Sequence, residues 1–349
     1  MKIENIHKKI LQGICIWITV FLVASIILFV QKLSSKTITI GKTTISSSKV
    51  ISTLLSVDKK DITMVIILVL FSILVLNPIK MYGILRVTGF KLSIKDTIVL
   101  YLSSIPIMNF APGQRAASSA YLSYILYLYT GKSGDKATIY FLVENTITFF
   151  VMFLIILWIT SSFGVPKHLE SLWLTIKNLM IIGIGLYIFA IIFCEIYLIR
   201  REFKDERLEK AKQIYKMYKK AILRSLFNFK YFVLIYGVAL VLYFTWYLEL
   251  YFLLKAIKVS LPIETIAVCE AVVSLILLIP TTPGDLGTLE AAQMMVYHYK
   301  LGIPVEKIIA FYILNRGIIF LLPSILGLVM YYYVYLTKLK SVINKNTKA

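Results

Sequence analysis

The sequence predicts an all-α polytopic membrane protein, and three observations carry that prediction. Hydrophobic residues make up 59% of the 349 and charged residues only 16%, with a mean hydropathy of +0.81, values that a soluble globular domain does not reach. Apolar windows of about 20 residues, the length that crosses a hydrocarbon core, recur along the whole chain with no soluble block of domain size between them. The Lys and Arg residues gather in the loops beside those windows rather than inside them.

Taken in order, the windows predict about six full spans, at 10–30, 62–79, 137–161, 179–199, 231–254 and 308–336. The first follows a short basic start, is too long for a signal-peptide core and has no small-residue cleavage site after it, so a retained helix is expected. The stretch KTITIGKTTISSSK alternates in the manner of a small β-hairpin. Two further apolar stretches, 97–130 and 263–299, are cut near their middles at NFAPGQR and IPTTPGD. Each half has only about 13 to 17 residues, too few to cross upright. Two broken or re-entrant helical hairpins are expected there, and tilted pairs of spans would give the same topology.

The segments 80–96, 131–136 and 200–230 carry, with the two termini, twice the Lys and Arg of the opposite face. Both termini are therefore expected in the cytoplasm of a multi-pass cell-membrane protein. The loop 200–230 alone holds 11 Lys and Arg, and it places Leu208, Ala211, Ile214, Tyr218, Ile222 and Leu226 along one helical face. An amphipathic helix lying on the anionic cytoplasmic surface is expected, with a solvated connecting helix as the alternative. The net charge of +20 has the same explanation: membrane lipids are the expected partner, and nucleic acid is not. Cys15, Cys194 and Cys269 lie singly in apolar windows, and His7, His168 and His298 are scattered, so no metal, cofactor or disulfide framework is expected.

The two broken stretches match each other. Pro112 and Gly113 are followed by Glu144-Asn145 at 32 and 33 residues beyond the proline, and Pro283 and Gly284 by Asn315-Arg316 at the same distances. Both dyads open a strongly apolar run. This is an internal repeat within one integral domain of 1–349, with halves at about 62–161 and 231–336. An odd number of crossings separates the halves, which inverts the second relative to the first. Inverted repeats with broken helices meeting at mid-membrane are the build of many secondary transporters. A simpler reading takes each break as a structural kink. Thr282, Pro283 and Asp285 would then open a helix as cap, first and third residues, and Gly284 and Gly287 would permit close packing.

Ionisable residues inside the apolar windows include Arg115, Glu144, Glu249, Glu270, Asp285, Glu290 and Arg316. A charge at mid-membrane costs about 2.5–3.5 kcal/mol on insertion scales, so each needs a partner, a wet cavity or a path to the interface. Glu249, near the outer end of its span, is expected to snorkel. Arg115 follows the first break at a helix start, where backbone N–H groups already favour an anion and a guanidinium fork suits phosphate. Arg316 would supply a second positive point, with Glu144 as counterweight; a buried Glu144–Arg316 pair is the structural alternative. Asp285 and Glu290 would meet a cationic headgroup or a coupling proton.

TTPGDLGTLEAA followed by AFYILNRGIIFLLPSILGLVMYY resembles the signature of the flippase-like membrane family that includes the transmembrane region of lysylphosphatidylglycerol synthases. That signature runs Pro-x-x-Pro-Gly-Gly-x-Gly-x-x-Glu and then an Arg in the next helix; Pro280, Pro283, Gly284, Gly287, Glu290 and Arg316 match it. LNPIKMYGILRVTGFKLSIKDTIVLYLSSIPIMNFAPGQRAASSAYL is similar to the family's first half, where Glu144 sits at the position of an acid. The resemblance covers about 60 to 336 and implies movement of aminoacylated or other polar lipids between leaflets. The sequence departs from the pattern at Asp285, in the second-glycine position, at Lys80, where an Arg is usual, and in lacking Gly-Glu after the first break. Only 13 residues follow Leu336, so lysylation of lipid by this chain alone is not expected.

The expected function is accordingly that of a lipid flippase or transporter-like protein for a polar or aminoacylated phospholipid. Arg115, Glu144, Asn145, Asp285, Glu290, Asn315 and Arg316 would contact the headgroup, between breaks at Pro112, Gly113, Pro283, Gly284 and Gly287. No catalytic residue is expected. Two other classes stay open: an intramembrane lipid-modifying enzyme using Glu290 or Asp285 as base, and a scaffold presenting its basic loop to a partner lipid enzyme. A homo-oligomer is compatible with each.

Overall fold

The computed structural model describes residues 37–40, 43–110, 114–130, 134–164, 167, 170–199, 205–276 and 287–334. The expected span at 10–30 and both break points, Pro112-Gly113 and Pro283-Gly284, lie outside them. Two short strands, β1 (Thr37–Ile40) and β2 (Thr43–Ser46), pair antiparallel with Thr37 opposite Ser46, as the alternation predicts. The other elements among the described residues are helices: α1 (Ser47–Leu55), α2 (Lys59–Val87), α3 (Ile94–Phe110), α4 (Gln114–Thr130), α5 (Gly134–Phe163) and α6 (Glu170–Phe193), which runs on through Cys194–Ile199. There follow α7 (Glu206–Phe227), α8 (Phe229–Ala256), α9 (Ile263–Ile276), α10 (Thr288–Gln293), prolonged by Met294–Lys300, and α11 (Val305–Val334). Among the described residues five helices are long and apolar enough to cross a membrane: α2, α5, α6, α8 and α11.

Local sequence explains where these helices start and bend. Asp58 caps α2 by accepting from the Lys60 N–H at 2.8 Å. Ser93 and Asp96 hold the start of α3 reciprocally, at 3.1 and 2.6 Å. Asp205 caps α7, accepting from Arg207 N–H at 2.7 Å. Pro78 and Pro323 stand inside α2 and α11, and each directly follows a widened π-helical stretch, Ser72–Leu76 and Arg316–Leu321. A proline has no N–H for the carbonyl four residues back and its ring crowds that carbonyl; a wider turn relieves both. In α2 the Asn77 N–H reaches back to the Ser72 carbonyl, and so does its side chain at 3.1 Å. The helix therefore continues past Pro78 to Val87. This corrects the expectation that 80–96 is a connecting segment: Lys80 is on a helix.

α2 and α8 run antiparallel. Asp58 N–H meets the Ala256 carbonyl and Lys255 pairs with Asp61 at one end, while Gly83 lies against Ile235 at the other. α3 packs closely along α11, where Gly327 lets the backbones approach. Asn109 stitches the same pair, donating to Ser324 Oγ at 2.9 Å and to the Phe320 carbonyl at 3.3 Å. Buried apolar residues form two main clusters. One is centred on α3, α4, α5 and the Val87 end of α2, the other on α9, α10, α11 and the Lys59 end of α2, with Trp246 of α8 packed against both.

The described part of the basic loop is helical as α7, as expected, but its apolar face is partly used inside the protein. Ile214, Tyr218 and Ile222 pack on the first cluster, whereas Leu208 and Leu226 are exposed. Tyr218 hydrogen-bonds Thr146 and Tyr187, and Lys219 and Tyr215 both reach Glu195, at 2.5 and 3.0 Å. Burial first, and then the bond to Glu195, holds the Tyr215 phenol above its ordinary pKa.

Candidate functional site

A cavity of about 280 Å³ opens between α2, α5, α8 and α11. Its wall includes Ser72 and Ile73 from α2, Thr148 from α5, Leu242 and Tyr243 from α8 and Ile319 from α11. Each of these stands half-way along its helix. Four span-length helices thus present their midpoints to one space, and polar groups placed there sit at the depth where lipid offers no hydrogen bonds. Asn77 and Lys80 line the cavity toward the Val87 end of α2, and Glu249 lines it toward the Lys59 end.

These polar groups are held. Lys80 Nζ is 3.5 Å from Glu144 Oε1, and Tyr140 also hydrogen-bonds Glu144. Glu249 is 4% exposed and accepts from the Ser72 hydroxyl at 2.8 Å. The snorkelling expected of Glu249 is therefore wrong: α8 runs on to Ala256, and the carboxylate turns inward to the widened turn of α2. Tyr243 donates to the Thr148 carbonyl at 3.2 Å, across the cavity wall.

A second polar knot lies at the start of α10. Gly287 precedes that helix with φ +83°, a conformation that favours glycine, and its N–H donates to Glu290 Oε2 at 2.7 Å. Glu290 Oε1 accepts from Arg316 Nε at 2.7 Å, and the Glu290 carbonyl accepts from the Tyr312 hydroxyl at 2.6 Å. The Arg316 guanidinium also covers the Phe320 ring, 4.3 Å from its centroid. Three contacts thus converge on Glu290, tying the first turn of α10 to α11. Among the described residues nothing lies within 4 Å of a Cβ placed on Gly287, so what is seen of this glycine is its backbone angle.

Of the residues singled out in the sequence, Glu290 and Arg316 come together. Glu144 does not meet Arg316, because Lys80 on the neighbouring helix takes it. Asn145 donates to the Phe141 carbonyl at 2.8 Å and faces a separate apolar groove between α5 and α6. Asn315 is buried. Asp285 and the alternative cap at Thr282 lie outside the described residues, as does the side chain of Arg115. Lys80, Ser72 and Glu249 are the cavity residues that sequence reasoning missed. The available signals were Pro78, which implies a widened turn within a span, and the apolar run that continues to Leu254 beyond Glu249. Among the described residues no group of three His, Cys, Asp or Glu could hold a metal, and Cys194 and Cys269 are free thiols.

Comparison with protein families matches residues 16–327 to the lysylphosphatidylglycerol synthase TM region. The chain belongs to this family. A search of curated proteins returned no match. The match spans the cavity helices and the Gly287–Glu290–Arg316 knot, so the resemblance read from TTPGDLGTLEAA and the following Arg is borne out at the level of family. A member of the lysylphosphatidylglycerol synthase TM region family, this chain is a helical, multi-pass membrane protein.

Proposed function

We propose that the protein moves a polar or aminoacylated phospholipid between leaflets, sheltering the headgroup in the mid-helix cavity while the acyl chains remain in lipid. The observation that carries this reading is the position of the cavity: four span-length helices contribute their midpoints, and Lys80, Asn77, Ser72 and Glu249 supply polar contacts in an otherwise apolar wall. Lys80 offers a phosphate its cation. Arg316, with Glu290, fixes α10 against α11 beside the cavity, and Arg115 is assigned to the headgroup path on the first half. The two halves are inverted copies, both termini are cytoplasmic, and the basic face of α7 rests on anionic headgroups.

The test is reconstitution of the full chain in proteoliposomes with a headgroup-labelled phospholipid. The wild type is expected to exchange the label between leaflets. Thr148→Phe, which fills the cavity without touching a charge, is expected to stop the exchange while the protein stays monodisperse. Undiminished exchange by Thr148→Phe and by Lys80→Ala would reject the cavity as the route.

A further inference from the structure

Glu249 differs from buried Asp61 and Glu270 and from half-buried Glu144 and Glu290. Glu144 has Lys80 and Tyr140, Glu290 has Arg316 and the Gly287 N–H, Asp61 has Lys255, and Glu270 accepts from both Tyr297 and Gln293. Glu249 has one hydroxyl, that of Ser72, and among the described residues no cation pairs with it. Few titratable groups share its cavity or stand on the helices around it. α2 carries Lys80, which lines the same cavity and is matched by Glu144 of α5, and Asp61, paired with Lys255 of α8 at the helix end. From α3 comes Tyr101, and from α8 itself Tyr243. On α11 stands Arg316, engaged by Glu290, and on α9 Glu270, engaged by two donors. A carboxylate this enclosed is unfavourable as an anion without a partner cation, yet this one lines a cavity that a ligand can enter.

Resting on the lipid-translocation reading above, we propose that Glu249 is a proton-exchange site, carrying a proton when the cavity is empty and giving it up when the ammonium of a headgroup enters. The step balances: the Glu249 O–H bond breaks, the proton passes to water, and the carboxylate formed pairs with the incoming ammonium. No electrons change hands. When the headgroup leaves, a proton returns. Movement of an ammonium headgroup in one direction is thereby exchanged for a proton in the other, and a pH gradient across the membrane drives it. The Ser72 hydroxyl, on the widened turn of α2, positions the carboxyl in either state by rotating between donor and acceptor.

The experiment measures proton release from the full chain in weakly buffered detergent, read by a pH indicator, with dihexanoyl phosphatidylethanolamine as probe and dihexanoyl phosphatidylglycerol as the control lacking an ammonium. The wild type is expected to release about one proton per ethanolamine lipid bound and none for the glycerol lipid. Glu249→Gln is expected to release none and Glu249→Asp to restore release. Equal release for both lipids, undiminished release by Glu249→Gln, or no binding of the ethanolamine lipid at any pH would overturn the proposal. Should Glu249→Gln fail to fold, the wild-type comparison of the two lipids still decides. Leaflet exchange in proteoliposomes without proton release rejects the proton site alone, whereas proton release without leaflet exchange rejects translocation alone.

Discussion

Arg316 donates its Nε–H to the Glu290 carboxylate at 2.7 Å, joining the start of α10 to the widened turn of α11. Glu290→Ala removes that acceptor and the one used by the Gly287 N–H. Because the two side chains remain 20% and 24% exposed, water softens the loss, and a destabilisation of roughly 1–3 kcal/mol is expected. Thermal unfolding in detergent measures it. The double variant Glu290→Ala/Arg316→Ala should be less destabilised than the two single losses added, since each single change strands a charge.

Gly287→Ala tests the backbone angle in isolation. Among the described residues no neighbour would touch the new methyl group, and the φ of +83° carries an expected cost of roughly 1–3 kcal/mol. A melting temperature equal to wild type would show that the turn relaxes without penalty.

Two other glycines separate hard contacts from soft ones. A Cβ on Gly327 would stand 2.6 Å from the Leu102 carbonyl oxygen and 2.6 Å from Pro106 Cδ, both on α3. Gly327→Ala must push α3 and α11 apart, and a loss of roughly 1–3 kcal/mol with reduced monodispersity is expected. At Gly83 the nearest atom is Ile235 Cγ1 at 2.7 Å, the branch of a side chain that can rotate. Gly83→Ala should therefore unfold at a temperature between those of Gly327→Ala and the wild type.

Lys80→Arg keeps the cation opposite Glu144, and leaflet exchange should persist. Lys80→Met leaves Glu144 with Tyr140 as its remaining named partner and removes the cation from the cavity, so exchange of an anionic lipid should fall by an order of magnitude or more, about 1.4 kcal/mol per factor of ten.

Lys216 and Lys220 are exposed on α7. If that helix rests on anionic headgroups, replacing both by Ala weakens attraction to the membrane surface by about 1 kcal/mol per residue at low salt. The extra thermal stability expected of the protein in phosphatidylglycerol nanodiscs over phosphatidylcholine nanodiscs should shrink accordingly, and high salt should erase it.

Much of this architecture is legible in the sequence, because hydrophobic length alone marks a crossing helix. The apolar windows at 62–79, 137–161, 179–199 and 231–254, and the described residues of that at 308–336, fall on long helices, and the alternating TITI and TTIS pair as two strands. Side-chain partnership is less legible. Glu144, Glu290 and Arg316 stand out as charges inside apolar windows, but which one meets which depends on helix neighbours, and Lys80 on α2 intervenes. Glu249 misleads for a different reason: distance from the end of an apolar window says nothing about which way a helical side chain turns, and the Ser72 hydroxyl that receives it is 177 residues away.

The widened turn at Ser72–Leu76 has a consequence for the rest of α2. An α-helix advances about 100° per residue, and a π turn arises from one residue inserted into it. The two arms of α2 are therefore spliced out of phase, so that Ser72 on one arm and Lys80 on the other can look into the same hollow. Deleting a single residue there would restore an unbroken spiral and leave Lys80 facing Glu144 almost as before, whereas closing the wide turn into ordinary α-helix with every residue kept would swing Lys80 by about 100°.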